Sequence, residues 1–209
     1  MRKHKGLFIT FESTVEGIGK STQAHLLASA LRRAGFEVVL TKEPGGTMVG
    51  QMLRTILLDP KSKLSKATEL FLLMADRAQH YKEVLKPGLK DGKIIICDRY
   101  VDSTLAYQGA GRGWKNAFLW RLHHATTGSL LPNLTVVLHG TPHINRSEHN
   151  PDRFEQEGTN FFTRVKQEIL HVASKDPRYV VLDGNVDADT ITADILRIIA
   201  ERRLLELVE

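Results

Sequence analysis

The residues with the clearest chemical potential form a short run, Gly17 to Thr22, in which two glycines precede a lysine and two hydroxyls. An apolar stretch at 7–11 comes before this run and predicts a buried strand, and apolar residues at helical spacing follow it. A strand, a glycine turn and a helix opened by Lys-Ser/Thr form the plan of a phosphate-binding P-loop. Backbone N–H groups and the helix N-terminus would bind an anion there, Lys20 would reach the β/γ-phosphates, and the Ser21 hydroxyl would hold Mg²⁺.

The match to the P-loop pattern is imperfect. The pattern G-x-x-x-x-G-K-[ST] ending at Ser21 places its first glycine at Thr14. A threonine there costs backbone freedom, because the first glycine helps the chain leave the strand at permissive dihedral angles. A chance Gly-Lys-Ser at a helix start is the alternative, and the strand before the run and the helix after it argue against that alternative.

Charged residues also follow two other strand patterns. Lys42 and Glu43 come after the second strand, just before a Pro-Gly-Gly turn, and Asp98 and Arg99 come after the third. Ligands of parallel α/β folds bind at the carboxyl ends of the strands. Asp98 lies where a nucleotide-binding fold keeps the carboxylate that supports Mg²⁺. The alternatives are a solvated turn after the second strand and an aspartate that caps the next helix.

A long helix is predicted over residues 65–86, ended by the Pro-Gly pair that follows. Arg77 interrupts the apolar face of this helix, in line with Leu70, Leu73 and His80. The pattern leaves two interpretations of Arg77 open. It either extends its guanidinium to solvent from the edge of the face, or it faces a buried polar ligand.

The order of the predicted elements indicates the fold class. Five apolar strand patterns alternate with helical patterns, at 7–11, 37–41, 93–97, 134–138 and 179–182. Such alternation predicts right-handed βαβ crossovers and an α/β fold, a five-stranded parallel sheet with helices on both faces. No repeat, low-complexity tract or linker indicates a second domain.

Composition narrows the class of protein further. The chain has 209 residues and a net charge of +5, and its 29 basic residues are spread without the block that marks a nucleic-acid-binding arm. The single cysteine, Cys97, excludes an internal disulfide and fits a reducing compartment. The sequence contains neither a signal-peptide pattern nor an apolar run of membrane-spanning length. We therefore expect a cytoplasmic protein that binds neither nucleic acid nor membrane.

Seven segments together resemble the thymidylate kinase family, whose members phosphorylate dTMP with ATP. They are ITFE…EGIGKST, KEPGGT, ADRAQH, CDRYVDSTLAYQGAGRG, PNLTVVL, DRFEQEG and VVLDG. Their order and spacing cover nearly the whole chain. The resemblance implies a single P-loop NTPase domain over 1–209 with a short lid at about 140–152. It also implies ATP and Mg²⁺ as cofactors, dTMP as substrate, a homodimer through packed helices, and a cis Glu43–Pro44 bond.

The resemblance further implies a role for each matching residue. Catalysis would depend on Lys20, Arg99, Arg146 and Glu16. The ATP phosphates would be bound by Thr14, Val15, Glu16, Gly17, Ile18, Gly19, Lys20, Ser21 and Thr22. The dTMP site would contain Lys42, Glu43, Arg54, Leu73, Arg77, Arg99, Ser103, Tyr107 and Gln108. Ser21 and Asp98 would hold the Mg²⁺.

The chain departs from the family pattern in four places. The loop over 12–16 is one residue longer than the usual form, and Lys42 replaces an arginine, giving a point charge instead of a bidentate fork. Leu73 stands where the family offers a phenylalanine to the thymine ring. The lid contains Arg146 as its sole arginine, after His139, which replaces an acidic or amide residue.

These departures motivate two alternatives to an active dTMP kinase. The altered loop and the sparse lid would suit a degenerate paralogue that binds nucleotide with little turnover. Leu73 would suit a kinase for another nucleoside monophosphate. Against the paralogue stands the joint presence of Lys20, Ser21, Asp98 and Arg99, together with Gln108.

Overall fold

The computed structural model describes residues 5–142 and 151–205. Its centre is a five-stranded sheet in which every pairing is parallel and the strand order is β2-β3-β1-β4-β5. The strands are β1 (Leu7–Ser13), β2 (Val38–Lys42), β3 (Ile94–Asp98), β4 (Leu134–His139) and β5 (Tyr179–Asp183). The predicted α/β class and all five predicted strands are confirmed. The family's P-loop NTPase architecture is the one observed.

Helices cover both faces of the sheet. They are α1 (Lys20–Arg33), α2 (Met48–Leu58), α3 (Lys66–His80), α4 (Lys86–Lys90), α5 (Val101–Thr104), α6 (Asn116–Thr127), α7 (Thr159–Ala173) and α8 (Ala188–Glu201). On one face, α1 and α8 pack against β1 through residues such as Leu27, Ile195 and Phe11. On the other face, Phe8 and Ile95 form a second cluster under the end of the α3–α4 segment. Alternate residues of each strand thus enter opposite cores.

The prediction that the long helix ends at Pro87 and Gly88 is wrong. The helix begins after Ser65, the N-cap residue, whose side chain accepts a hydrogen bond from Thr68 N at 3.1 Å. It then continues through a π-helical segment, Tyr81–Leu85, into α4. Pro87 is tolerated because it lies in the first turn of α4, where its missing N–H is not needed.

One further expectation is confirmed, since the Glu43–Pro44 peptide bond is cis. Gly35 follows α1 with a φ of 88°, in the left-handed region that favours glycine at a helix end. None of the helices within 5–142 and 151–205 has the length and apolar composition of a membrane span.

Candidate active site

The loop between β1 and α1 has the conformation of a phosphate-binding turn. Gly17 and Gly19 have φ values of 74° and 94°, which side chains rarely adopt, so glycine is required at both. Thr14, which replaces the first glycine of the pattern, donates its backbone N–H to Leu138 O at 3.0 Å. Its hydroxyl also lies 2.9 Å from Nδ1 of His139. Two departures from the family pattern therefore contact each other, and the Thr14 hydroxyl gives the loop a side-chain contact with β4 that a glycine could not make.

Lys20 and Ser21 both contact Asp98 at the end of β3. The ammonium of Lys20 forms an ion pair with one carboxylate oxygen, and the Ser21 hydroxyl donates to the other. Burial alone would raise the pKa of Asp98, but the charges of Lys20 and Arg99 outweigh it and lower that pKa. Asp98 is therefore an ionised acceptor, and the alternative that it caps the next helix is not needed to explain it.

The Ser21–Asp98 pair fits a magnesium ion. A hydroxyl and a carboxylate are hard oxygen ligands, and Mg²⁺ commonly takes one or two such protein ligands together with phosphates and water. Within the described residues no three His, Cys, Asp or Glu side chains cluster as an all-protein cage would require. The donor set thus suits a metal shared with a polyphosphate.

A cavity of about 690 Å³ opens at the carboxyl ends of the strands. It collects every residue that the sequence assigned to the dTMP site, namely Lys42, Glu43, Arg54, Leu73, Arg77, Arg99, Ser103, Tyr107 and Gln108. It is also lined by Glu16, Lys20, Ser21 and Asp98. The P-loop and the proposed monophosphate residues therefore face one common space. Arg146 lies outside the described residues.

Arg99 occupies a strained backbone position in this cavity. Its φ is 69°, unusual for a residue with a side chain, and such strain concentrates at functional sites. Its guanidinium forms an ion pair with Glu16, donates to Ser103 Oγ at 3.0 Å and lies 5.3 Å from the ring centre of Tyr107. Burial would raise the pKa of Glu16, but Arg99 and Lys20 lower it overall. The site thus holds a fixed arginine beside an ionised glutamate.

Arg77 is buried and faces the cavity, which decides between its two interpretations. Only 3% of its surface is exposed, so it does not extend to solvent. Its Nε donates to Glu43 Oε2 at 2.8 Å and its Nη2 to Thr104 Oγ1 at 2.9 Å. The second oxygen of Glu43 contacts His80 Nδ1 at 2.8 Å. Glu43 therefore positions Arg77, while the buried Nη1 has no hydrogen-bond partner among the described residues and could bind a polar ligand.

Two more cations lie beside the cavity, Lys42 at the end of β2 and Arg54 on α2. Lys42 pairs in register with Asp98, so its side chain starts level with the P-loop contacts. Arg54 donates to the carbonyl of Pro44 at 2.8 Å. A Cβ at Gly45 would lie 2.9 Å from Arg54 Cδ, and the φ of Gly45 is 110°. Glycine at this position therefore leaves room for the Arg54 side chain.

The sequence missed several lining residues. Asp152, Phe154 and Glu155 precede α7, Phe162 lies on α7, and all four close one side of the cavity. The DRFEQEG motif contained three of them, so a signal was present, but nothing in the residue types said which faced inward. Phe71 is 54% exposed, so it does not replace the ring missing at Leu73.

Arg153 is held in place by contacts with neighbouring elements. Its Nη1 lies 2.7 Å from Glu69 Oε2, and its Nε donates to Leu57 O at 2.8 Å. Its guanidinium also lies 4.4 Å from the ring centre of Phe154. These contacts anchor the chain where it returns from the lid.

Asp76 also faces the cavity, and its ionisation should make stability depend on pH. Burial and the charge of Glu43 raise its pKa to about 6. Oδ1 accepts from Gly45 N at 2.9 Å, whereas the buried Oδ2 has no hydrogen-bond partner among the described residues. Because the folded pKa exceeds the unfolded value, the contribution of Asp76 to stability is greatest at low pH and declines as pH rises through 6.

We therefore expect Asp76→Asn to be more stable than the wild type at pH 8, by on the order of 2 kcal/mol, and to lose this advantage towards pH 4. The amide keeps an acceptor for Gly45 N without a charge. Thermal unfolding between pH 4 and 8 measures the effect. Asp91→Asn, at an exposed aspartate, is the control and should show no such trend. Parallel curves for wild type and Asp76→Asn would contradict the assignment.

The fold and the site together define a P-loop nucleoside monophosphate kinase, an ATP-dependent phosphotransferase. The family model described as "Thymidylate kinase" matches residues 15–195. A thymidylate kinase of Deinococcus radiodurans is 43% identical over 203 residues, covering 95% of this chain and 98% of that protein. One of Pseudomonas fluorescens is 46% identical over 185 residues, covering 86% and 88% respectively. The chain belongs to the thymidylate kinase family.

A solved structure supports the same assignment. The crystal structure of thymidylate kinase from Ehrlichia chaffeensis aligns with a TM-score of 0.74 at 31% identity. The alignment covers 94% of this chain and 99% of that one. The similarity therefore extends over the whole sheet and its helices as well as the P-loop.

Proposed function

We propose that this chain transfers the γ-phosphoryl group of ATP to dTMP, giving ADP and dTDP. One observation carries the proposal. Lys20, Ser21 and Asp98 open onto the same cavity as the buried Arg77 and the half-buried Arg99. A donor and an acceptor bound there would meet in a single space, as in-line phosphoryl transfer requires.

The residues of the P-loop would bind the donor. Backbone N–H groups from Gly17 to Thr22 would surround the phosphates, and Lys20 would exchange its contact with Asp98 for the β/γ-phosphates. Ser21 and Asp98 would hold Mg²⁺, which when bound neutralises charge on the phosphate oxygens. Arg146, which the sequence places in the lid, would add a cation near the transferring group.

The rest of the cavity would bind the acceptor. Lys42, Arg54 and Arg99 would hold the dTMP phosphate, and Glu16 would lie near the sugar 3′-hydroxyl. Arg77 and Gln108 would hydrogen-bond the thymine edge, with Ser103 and Tyr107 beside the nucleoside. Catalysis would then consist of positioning and charge neutralisation, with little covalent work by the protein.

A coupled assay of ADP release with a panel of nucleoside monophosphates tests the proposal. We expect dTMP to give the highest kcat/KM. A higher value for another monophosphate would favour the alternative raised by Leu73. Binding of ATP and dTMP by calorimetry without ADP release would favour the degenerate paralogue.

Leu73 offers a direct test of how the base is held. Leu73 lines the cavity and packs beside Leu70 and Met74. We expect Leu73→Phe to tighten dTMP binding by roughly 0.5–1.5 kcal/mol through ring stacking. Leu131→Phe adds the same ring at a position that is 41% exposed and should leave the affinity unchanged. No gain in titration calorimetry would mean that the cavity cannot accept a ring at this position.

Assembly, location and domain organisation complete the proposal. Met48, Met52 and Ile56 are spaced four residues apart on α2 and are 76%, 64% and 45% exposed, and Phe71 on α3 is similarly exposed. Such an apolar row supports a homodimer through packed helices, which sedimentation equilibrium would measure.

We place the enzyme in the cytoplasm, where the lone thiol of Cys97 is compatible with a reducing environment. The whole of 1–209, lid included, would act as one domain.

A further inference from the structure

Glu69 is a buried carboxylate on α3 to which the proposed catalytic roles assign nothing. Only 1% of its surface is exposed. Its Oε1 accepts from Gln108 Nε2 at 3.0 Å and from Arg112 Nε at 3.1 Å. Its Oε2 accepts from Arg112 Nη2 at 3.0 Å and from Arg153 Nη1 at 2.7 Å. One side chain therefore links α3 with the π-helical segment Leu105–Gly111 and with the chain that returns from the lid.

These contacts keep Glu69 ionised. Burial alone would raise its pKa, but hydrogen bonds from Arg112, Gln108 and Arg153 outweigh burial and lower it. An ionised carboxylate accepts hydrogen bonds and donates none. The amide nitrogen of Gln108 must therefore face Glu69, and the amide oxygen lies on the other side of the group.

Gln108 and Arg77 line the same cavity, and their polar groups are complementary. Arg77 Nη2 donates to Thr104, which lies four residues before Gln108 on the continuous α5 and π-helical segment. The buried Nη1 of Arg77 is a donor, and the amide oxygen of Gln108 is an acceptor. A 4-oxo pyrimidine offers an acceptor at O4 and a donor at N3–H, whereas cytosine has the opposite polarity at both atoms.

We propose that Glu69 is a positioning residue that fixes the amide of Gln108 with its oxygen available to the base, and thereby selects 4-oxo pyrimidines over cytosine. The proposal rests on the proposed function, because it assigns the base to the Arg77 and Gln108 side of the cavity. Without the carboxylate, the amide of Gln108 can rotate and present a donor instead. A site that can present either group discriminates poorly between the two bases.

The test replaces the carboxylate by an amide, Glu69→Gln, which both donates and accepts. We expect the ratio of kcat/KM for dTMP to that for dCMP to fall by at least about 10-fold. The change should lie in KM for the monophosphate, with kcat on dTMP within a few-fold of wild type. A ratio unchanged from wild type would overturn the proposal.

Arg112→Gln is the matched control, because it removes two hydrogen bonds from Glu69 but leaves in place the Gln108 and Arg153 contacts, which also lower the pKa of Glu69. We expect it to lower Tm without changing the dTMP to dCMP ratio. An equal fall in the ratio for both variants would mean that Glu69 acts only through stability, and would also overturn the proposal. Thermal unfolding of each variant accompanies the kinetics.

A second variant keeps the proposal testable should Glu69→Gln not fold. Gln108→Leu retains the Glu69 cluster with the arginines but removes the amide, so it should lose the same discrimination. Retention of the wild-type ratio by Gln108→Leu would refute the role of the oriented amide. The wild-type assay distinguishes failure of the proposed function from failure of the proposal for Glu69. If the wild type did not turn over dTMP, the proposed function would be contradicted, rather than the role of Glu69.

Discussion

We expect Lys20→Ala to lower kcat for phosphoryl transfer by at least about 10³-fold. Lys20 is the first residue of α1, directly after the phosphate-binding turn, and it lines the cavity. Its ammonium forms an ion pair with Asp98 at the end of β3. Its charge would move to the β/γ-phosphates and compensate the negative charge that develops during transfer. No other lysine or arginine on α1 lines the cavity, since Arg32 and Arg33 lie exposed at the opposite end of the helix.

The loss should be specific to catalysis. Removing Lys20 leaves Asp98 with Ser21 as its nearby donor, so we expect a lower Tm but a folded protein. Lys175→Ala, at an exposed lysine after α7, is the control and should match the wild type in both respects. The measurements are ADP release and thermal unfolding. Turnover by Lys20→Ala within a few-fold of wild type would remove the P-loop from the mechanism.

Arg99→Lys should lower kcat/KM for dTMP by about 10²–10³-fold, the second largest effect that we expect. Arginine is needed because its planar fork contacts Glu16 and Ser103 at once while its face lies over Tyr107. Lysine keeps the charge but contributes a single ammonium and cannot reproduce these contacts. The backbone at this position is already strained, so the substitution changes the side chain without relieving the strain.

Separate titrations of ATP and dTMP distinguish a substrate role for Arg99 from a structural one. We expect the affinity for ATP to change by less than about threefold, since the P-loop carries the donor phosphates. Arg33→Lys makes the same exchange at an exposed position on α1 and should leave both affinities unchanged. Equal weakening of ATP and dTMP by Arg99→Lys would indicate that the residue supports the fold of the whole cavity.

The sheet could be predicted from the sequence because each buried strand is marked by residues that are adjacent in the chain. Buried parallel strands appear as short apolar runs, and each of the five predicted runs lies within one or two residues of an observed strand. The error at Pro87 arose because proline ends most helices but is tolerated in a first turn. A π-helical segment before it creates such a turn, and no residue pattern indicated that segment.

The site could be predicted in part. Residues at the carboxyl ends of the strands, such as Asp98 and the following Arg99, lie close to the P-loop because these ends share one edge of a parallel sheet. The contacts between distant residues could not be derived in this way. The bond from Gln108 to Glu69 spans 39 residues, and nothing in either local pattern specifies a partner. Arg77 could be placed on a helix face, but only tertiary packing shows that its third nitrogen is buried.

The contact between Thr14 and His139 couples two positions that are 125 residues apart in the chain. Glycine at Thr14 alone would leave the imidazole without this partner, and a change at His139 alone would leave the threonine hydroxyl without one. Each side chain therefore has this partner only when the other residue is present. A transfer of this P-loop into a relative would need the end of β4 as well, so the functional boundaries of the motif extend beyond its contiguous sequence.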